Sequence, residues 1–375
     1  MSLFEARAEA LRTNRRTLAE TLHLDAPLLI CLLALSVVSL FVLYSASGQN
    51  IDIVWRQVVR LGVAFSIMLA LAQITPATLK RWTPWFFGLG IGLLLAVLFF
   101  GETGKGAQRW LDLGLFRFQP SEMMKLAVPM MVAWYLSDHP LPPTSKRLLM
   151  ACLIIVIPTL LIAKQPDLGT ALLIAGAGIF VLLFAGISWR LIFASAAVLA
   201  ASAPILWHFM RDYQRQRVLT FLNPEQSPLG AGYHIIQSKI AIGSGGLYGK
   251  GWLNGTQSQL NFLPERSTDF IFAAYAEEFG LFGILALLTV YLLIIMRGLL
   301  IASQAQDTYT RLLGGGLVMT FFIYIFVNIG MVTGLLPVVG VPLPLISYGG
   351  TSMVTLMAGF GILMSIHTHR KLLPR

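Results

Sequence analysis

Carboxylates and cations that enter apolar runs are the residues of this sequence best able to do chemistry, because an ionised group in hydrocarbon is costly unless it is paired or used. Three stretches hold them. In the first, Gly106-Ala107-Gln108-Arg109-Trp110 is followed by Phe118-Gln119-Pro120-Ser121-Glu122 and Lys125. Proline suits the first turn of a helix, and Glu122 and Lys125, three residues apart, share one helix face. The pair reads either as a structural salt bridge or as charges kept for a substrate, and Trp110 reads also as an interfacial tryptophan. In the second, Gln165-Pro166-Asp167-Leu168-Gly169-Thr170, Asp167 stands where a helix N-cap is expected, which leaves open a second role in holding a metal or ordering the site. The third, Leu263-Pro264-Glu265-Arg266-Ser267-Thr268-Asp269-Phe270-Ile271-Phe272, sets Asp269 at the mouth of an apolar run, with Glu277 and Glu278 further in. A helix N-terminus favours the carboxylate and partial burial the neutral acid, a balance that can leave Asp269 a competent general base. Glu277, about 80° around the helix from Asp269, reads with Glu278 as structural or modulating.

These residues need a scaffold that crosses a bilayer. Of the 375 residues 56% are apolar and 12% charged, and the mean hydropathy of +0.75 excludes an ordinary soluble enzyme. Apolar runs long enough to span roughly 30 Å of hydrocarbon as helices predict ten spans, at 27–46, 58–75, 84–100, 121–137, 148–163, 168–186, 191–208, 270–296, 312–332 and 350–367. The expected fold is an all-α integral membrane protein with about ten transmembrane helices and both termini cytoplasmic. That orientation puts Lys80-Arg81, Lys146-Arg147, Arg190, Arg297 with Arg311, and Arg370-Lys371 inside, as the positive-inside tendency asks. Topology thereby accounts for much of the net charge of +10, and no nucleic-acid partner is implied.

Residues 1–26 read as an uncleaved cytoplasmic segment, either amphipathic, with Phe4, Leu11, Leu18 and Leu22 near helical spacing, or disordered. Residues 27–367 read as a single ten-helix domain, and 368–375 as a cytoplasmic tail. The outward connections 101–120 and 209–269 are long, the second lying between helices 7 and 8, and long ordered loops usually carry function. They bring Lys105, Arg211, Arg215, Lys239, Lys250 and Arg266 among Glu102, Asp112, Asp212, Glu225 and Glu265. Such mixed charge suits an anionic substrate that also needs acid–base or metal chemistry, as a lipid pyrophosphate does; loop-to-loop ion pairing is the plainer alternative. Gly334, Pro337, Gly340, Pro342, Pro344, Gly349 and Gly350 break up the last connection, while Ser347, Tyr348, Thr351 and Ser352 supply hydroxyls. That segment reads either as the re-entrant wall of a polar cavity or as a tight turn.

Other signals fall away. Gly243-Ser244-Gly245-Gly246-Leu247-Tyr248-Gly249-Lys250-Gly251 lacks the first glycine and the closing Ser or Thr of a nucleotide phosphate loop and reads as a flexible turn. Cys31 and Cys152 lie inside spans, the six histidines form no ligand cluster, and no nucleophile elbow is legible.

The motifs quoted above, in this order, resemble the SEDS proteins of shape, elongation, division and sporulation, and the resemblance runs from the first span to the last. Gly232-Tyr233-His234-Ile235-Ile236-Gln237-Ser238-Lys239 and Gly249-Lys250-Gly251-Trp252 are similar to the elongation member rather than the division member. The resemblance implies metal-dependent polymerisation of lipid II on the outer face of the bacterial inner membrane, with release of undecaprenyl pyrophosphate. It implies Asp269 as the catalytic residue that deprotonates the acceptor sugar hydroxyl, and Glu122 and Lys125 in a central cavity. Arg109, Trp110, Asp167, Lys239 and Ser347 are assigned with them as substrate or cavity residues. Glu122 and Asp269 are the candidate ligands of a divalent cation, Mg2+ or Mn2+. The implied partners are a class B penicillin-binding transpeptidase and the elongation machinery, besides membrane lipids. The alternatives are a lipid II flippase, which asks for a midplane site and internal repeats that the sequence does not display, and a non-catalytic scaffold for the transpeptidase.

Overall fold

The computed structural model describes residues 22–104, 107–112, 117–210, 212–223, 231–260, 262–263 and 265–369. Nearly all of the N-terminal segment, most of the tail, and Lys105, Arg211 and Glu225 lie outside the described residues. The chain opens with α1 (Ala26–Ala46), α2 (Ile51–Ala72) and α3 (Pro76–Phe100), whose N-caps Asp25, Asn50 and Thr75 each accept a hydrogen bond from a first-turn N–H. The connection 101–120 is a small antiparallel sheet, β1 (Glu102–Gly104), β2 (Ala107–Asp112) and β3 (Arg117–Phe118), in that order. Then come α4 (Pro120–Ser137), α5 (Ser145–Lys164), α6 (Leu168–Phe184) and α7 (Trp189–Phe209). The long connection carries α8 (Asp212–Leu222), α9 (Ala231–Ser244) and the single turn α10 (Thr256–Gln259). The chain closes with α11 (Ile271–Ser303), α12 (Thr308–Thr333) and α13 (Thr351–Thr368).

Helices α1, α2, α3, α5, α11, α12 and α13 are long and apolar enough to cross a membrane, and α6 is a shorter apolar helix. With α4 and α7 they overlap the expected spans, although α2 and α3 begin well before the expected 58 and 84, and the chain is a multi-pass helical membrane protein. Helices α12 and α13 form the centre: 78% and 72% of their apolar stretches are buried, against 22–39% in the other five. The remaining helices turn large apolar side chains outward, among them Trp55, Trp85, Phe99 and Leu160, as lipid solvation permits.

The bundle has two distinct ends. At one, Arg297 donates to both oxygens of Asp25 at 3.0 and 2.6 Å. His367 also approaches Asp25, Lys80 pairs with Asp138 at 2.6 Å, and His23 stacks on His369. Both ends of the described chain therefore meet there, and Lys80, Arg81, Lys146, Arg147, Arg190, Arg297 and Arg311 flank the same helix ends. The opposite end holds the sheet, the long connection and the site.

Helix α11 is broken at Gly280, whose φ of 62° and ψ of −161° are far from helical. The glycine-rich segment fills the break. Lys250 and Gly251 donate their N–H groups to the carbonyls of Glu277 and Glu278, and Leu281 and Phe282 donate to Gly246 and Leu247. Gly249, at φ +81°, passes so close that a Cβ would collide with the Glu278 carbonyl. The expected flexible turn is thus a backbone clamp, because its amides and carbonyls satisfy the groups that the helix break releases.

Candidate active site

A cavity of about 370 Å³ opens at the sheet-bearing end of the bundle, walled by α2, α4, α6, α12, the start of α13, β2 and the turn before α11. Each wall is held by a local device legible in its sequence. Pro120 opens α4, which puts Glu122 in the first turn and Lys125 one turn on, both buried, with Lys125 Nζ 2.5 Å from Glu122 Oε1. The ammonium also lies 4.9 Å from the Tyr324 ring centroid, a cation–π contact. Oε2 of Glu122 and the hydroxyl of Tyr324 are buried with no hydrogen-bond partner; buried polar atoms left in that state mark places where a ligand, ion or water belongs.

Asp167 caps α6, accepting from the Thr170 N–H at 3.2 Å, and its other oxygen takes a hydrogen bond from the Gln119 amide at 3.2 Å. It therefore caps the helix and lines the cavity together. Arg109 reaches across from β2, donating to the Pro166 carbonyl at 2.7 Å and lying 3.7 Å from Asp167. Trp110, next on that strand, lines the same cavity.

Asp269 sits two residues ahead of α11, in the turn that ends at the N-cap Phe270. Its backbone is fixed from α12, where the fully buried Asn328 donates to the carbonyls of Asp269 at 2.9 Å and Val341 at 2.7 Å. One amide thus ties the turn bearing the candidate base to the segment 334–350. That segment is irregular, buries Val341, Leu343, Leu345 and Ile346, and lines the cavity with Gly340, Val341, Pro342, Tyr348, Gly349 and Gly350. It is a cavity wall and not an exposed turn. Gly340, at φ +74°, lets the wall pass Asp269: a Cβ there would lie 3.4 Å from Oδ2.

Two assigned residues do not line the cavity. Lys239 is exposed, and its side chain lies against Gly334 at the C-cap of α12, where a cation meets the helix's negative end. The cause is the docking of α9, whose Ser238 is buried and bonds the Val332 carbonyl at 2.7 Å. Ser347 is buried, donating to the Thr268 carbonyl at 2.6 Å and accepting from the Leu343 N–H at 2.8 Å. It pins the wall to the turn beside Asp269. Glu277 and Glu278 also lie outside the lining: Glu277 takes Lys250 at 2.7 Å, Thr256 at 3.0 Å and the Gln257 N–H at 3.0 Å, and Glu278 takes Ser45.

Arg60, Tyr324 and Asn328 are residues that the motif reading passed over. Each is a charged or polar side chain inside an apolar run; the sequence predicts that the second span begins at 58, whereas α2 begins at Ile51, which carries Arg60 well into the helix.

Among the described residues no three His, Cys, Asp or Glu side chains gather as a metal site. Glu122, with its unpartnered Oε2, and Asp269 face one cavity. This suits an ion such as Mg2+, which rests on one or two carboxylates and completes its shell with water and substrate phosphate oxygens.

The FtsW/RodA/SpoVE family model, described as a cell cycle protein, matches residues 23–372. The peptidoglycan glycosyltransferase MrdB of Escherichia coli K12 is 58% identical, covering 96% of this chain and 98% of the relative. The peptidoglycan glycosyltransferase RodA of Treponema pallidum is 33% identical over 92% of this chain and 98% of its own. Among solved structures, a chain of a peptidoglycan synthase complex coordinating polymerization and crosslinking superposes with a TM-score of 0.81 at 31% identity, over 93% of this chain and 98% of that one. The rod shape determining protein RodA of Thermus thermophilus gives 0.70 at 27% identity, over 92% and 98%. A match along nearly the whole chain, with the quoted motifs converging on one cavity, establishes that this protein belongs to the FtsW/RodA/SpoVE family.

Proposed function

We propose that this protein is a peptidoglycan glycosyltransferase that polymerises lipid II into glycan strands on the outer face of the bacterial inner membrane, for cell elongation and rod shape. The observation that carries the reading is the convergence of Glu122, Lys125, Arg109, Asp167 and Asp269, from separate segments, on a single cavity at one end of a membrane bundle. The basic flanks at the opposite end support placing that end in the cytoplasm and the cavity outside.

In the proposed reaction a carboxylate oxygen of Asp269 takes the proton of the acceptor sugar hydroxyl. The oxygen attacks the anomeric carbon of the donor, the C–O bond to the pyrophosphate breaks with inversion, and undecaprenyl pyrophosphate leaves with the bonding electrons. No covalent enzyme intermediate is needed. Lys125 faces the charge that develops on the leaving group, where a fixed cation acts most strongly. A divalent cation held by Glu122 and Asp269 would supply further charge neutralisation at the pyrophosphate. Arg109, which donates to the Pro166 carbonyl and lies in ion-pair range of Asp167, holds the β2 wall against the start of α6. The named functions of the MrdB and RodA relatives support the reaction class, and the synthase-complex likeness supports a crosslinking partner, which we assign as a class B penicillin-binding transpeptidase.

The test is polymerisation of purified lipid II by the purified protein with its transpeptidase and Mg2+, comparing wild type with Asp269→Ala. Glycan strands from wild type and none from a folded variant are the expected result. Normal polymerisation by the variant removes Asp269 as the base, and no polymer from an otherwise intact complex moves the protein to lipid transport or scaffolding.

A further inference from the structure

We infer that Arg60 binds the pyrophosphate of the polyprenyl-linked substrate, with Tyr348 as its platform, at the rim where the cavity meets lipid. The inference rests on the polymerase reading and adds a residue to it. Arg60 is the tenth residue of α2, roughly 14 Å along the helix from its first residue at 1.5 Å per residue. A guanidinium at such a depth in an apolar helix persists when it is paired or used. Among the described residues it is not paired: its guanidinium carbon lies 4.1 Å from the Tyr348 ring centroid, and no described carboxylate or carbonyl accepts from it. The other lining cations are committed, Lys125 to Glu122 and Arg109 to Pro166 and Asp167.

The ring holds the guanidinium by a cation–π contact and takes up none of its N–H groups, which suits capture of phosphate oxygens. The backbone beside it is bare. Gly349 and Gly350 line the cavity there, and a Cβ on Gly350 would sit 3.6 Å from Arg60 Nε. Gly350 is also the N-cap of α13, which has no side-chain cap, so the first-turn amides of an 18-residue helix and the hydroxyls of Thr351 and Ser352 lie at the same rim. They add to an anion site that the guanidinium defines.

Two anionic groups of such a substrate could meet this fork, the pyrophosphate and the carboxylates of its peptide. The surroundings favour the first. Val59 and Val63, either side of Arg60 on α2, are 54% and 50% exposed on the outside of the bundle, so the rim borders hydrocarbon. A polyprenyl pyrophosphate can keep its tail in lipid there while its phosphates enter the cavity.

The experiment uses the full chain in nanodiscs and measures binding of farnesyl pyrophosphate, farnesyl monophosphate and a free stem pentapeptide to wild type, Arg60→Gln and Arg60→Lys, beside KM and kcat on lipid II. Loss of one charge-assisted contact should weaken pyrophosphate binding about tenfold or more. Pentapeptide binding should stay unchanged, KM should rise more than kcat falls, and Arg60→Lys should recover part of the loss. Equal pyrophosphate affinity in Arg60→Gln overturns the inference, as does a loss confined to the pentapeptide. Should Arg60→Gln not fold, Tyr348→Leu keeps the charge and removes its platform; weaker pyrophosphate binding supports the inference and unchanged binding overturns it. Wild type that binds pyrophosphate through Arg60 yet makes no polymer from lipid II supports the inference and sinks the polymerase reading alone.

Discussion

The Glu122–Lys125 pair offers the sharpest separation of stability from chemistry in this molecule. Its side chains are 9% and 3% exposed and lie 2.5 Å apart. Replacing Lys125 with Met leaves Glu122 with neither oxygen satisfied, because Oε2 already lacks a partner. Stranding one member of a buried pair costs about 3–5 kcal/mol, and losing the contact with Tyr324 adds about 1 kcal/mol. Glu122→Gln should cost a comparable amount by stranding the ammonium. Substituting both removes the stranded charge, and buried pairs exchanged for uncharged groups of similar volume are often near neutral. The double variant should therefore regain most of the stability that either single variant loses. Its polymerisation should remain at least about a hundredfold down, the cost typical of losing one preorganised electrostatic contact to a transition state. Thermal midpoints at one fixed scan rate, since membrane-protein unfolding is commonly irreversible, and strand synthesis from lipid II read the two quantities separately. Single variants as stable as wild type would show the pair to be solvated, and a double variant that polymerises normally would remove it from the chemistry.

Asn328→Ala leaves the carbonyls of Asp269 and Val341 without their donor, and should cost about 1–3 kcal/mol with a fall in kcat; an unchanged thermal midpoint and rate would refute that role. Gly169→Ala pushes a Cβ to within 2.7 Å of the Val339 carbonyl, so the wall must shift away from α6; polymerisation should drop, and full activity would show the wall to be compliant. At the opposite end burial works against ionisation of Asp25, but hydrogen bonds from Arg297 and the Leu28 N–H, with the charges of Arg297 and His367, outweigh it and hold its pKa below the ordinary 3.8. The folded value being depressed, this stability is complete above about pH 4 and is lost as pH falls through the folded value. Asp25→Asn should flatten the acid limb of the thermal midpoint against pH, and an unaltered limb would contradict the assignment. Chelation of divalent cations should stop polymerisation and Mg2+ restore it; undiminished synthesis in chelator would count against the metal.

The helical membrane architecture was legible because hydrocarbon leaves the backbone few choices and apolar length is a strong signal. Asp167 and Pro120 were legible as helix starts because caps and first-turn prolines act locally. Lys239 and Ser347 were not, for a shared reason: motif membership says that a side chain is used, and only packing says where it points. Ser347 is spent on backbone beside Asp269, and Lys239 turns toward α12 because Ser238 faces inward. The small sheet in 101–120 was likewise hidden, since its described strands are short and pair with one another. The glycine-rich segment misled in the opposite direction. Its glycines are there for close backbone approach to the broken α11, not for mobility.

That clamp bears directly on the candidate base. A helix broken by a glycine with φ of 62° exposes amides and carbonyls that hydrocarbon cannot satisfy, and the segment 246–251 satisfies them with reciprocal hydrogen bonds. Glu277 then gathers Lys250, Thr256 and the Gln257 amide from the same connection. Asp269 lies at the far end of that connection, between this anchor and the one made by Asn328. The buried carboxylates of α11 therefore need no contact with a substrate to matter: they fix the path of the chain that delivers Asp269 to the cavity. A charge in an apolar helix can be kept for positioning as well as for chemistry, and partners distinguish the two. Glu277 has its donors inside the fold, whereas Glu122 still has an oxygen waiting for one.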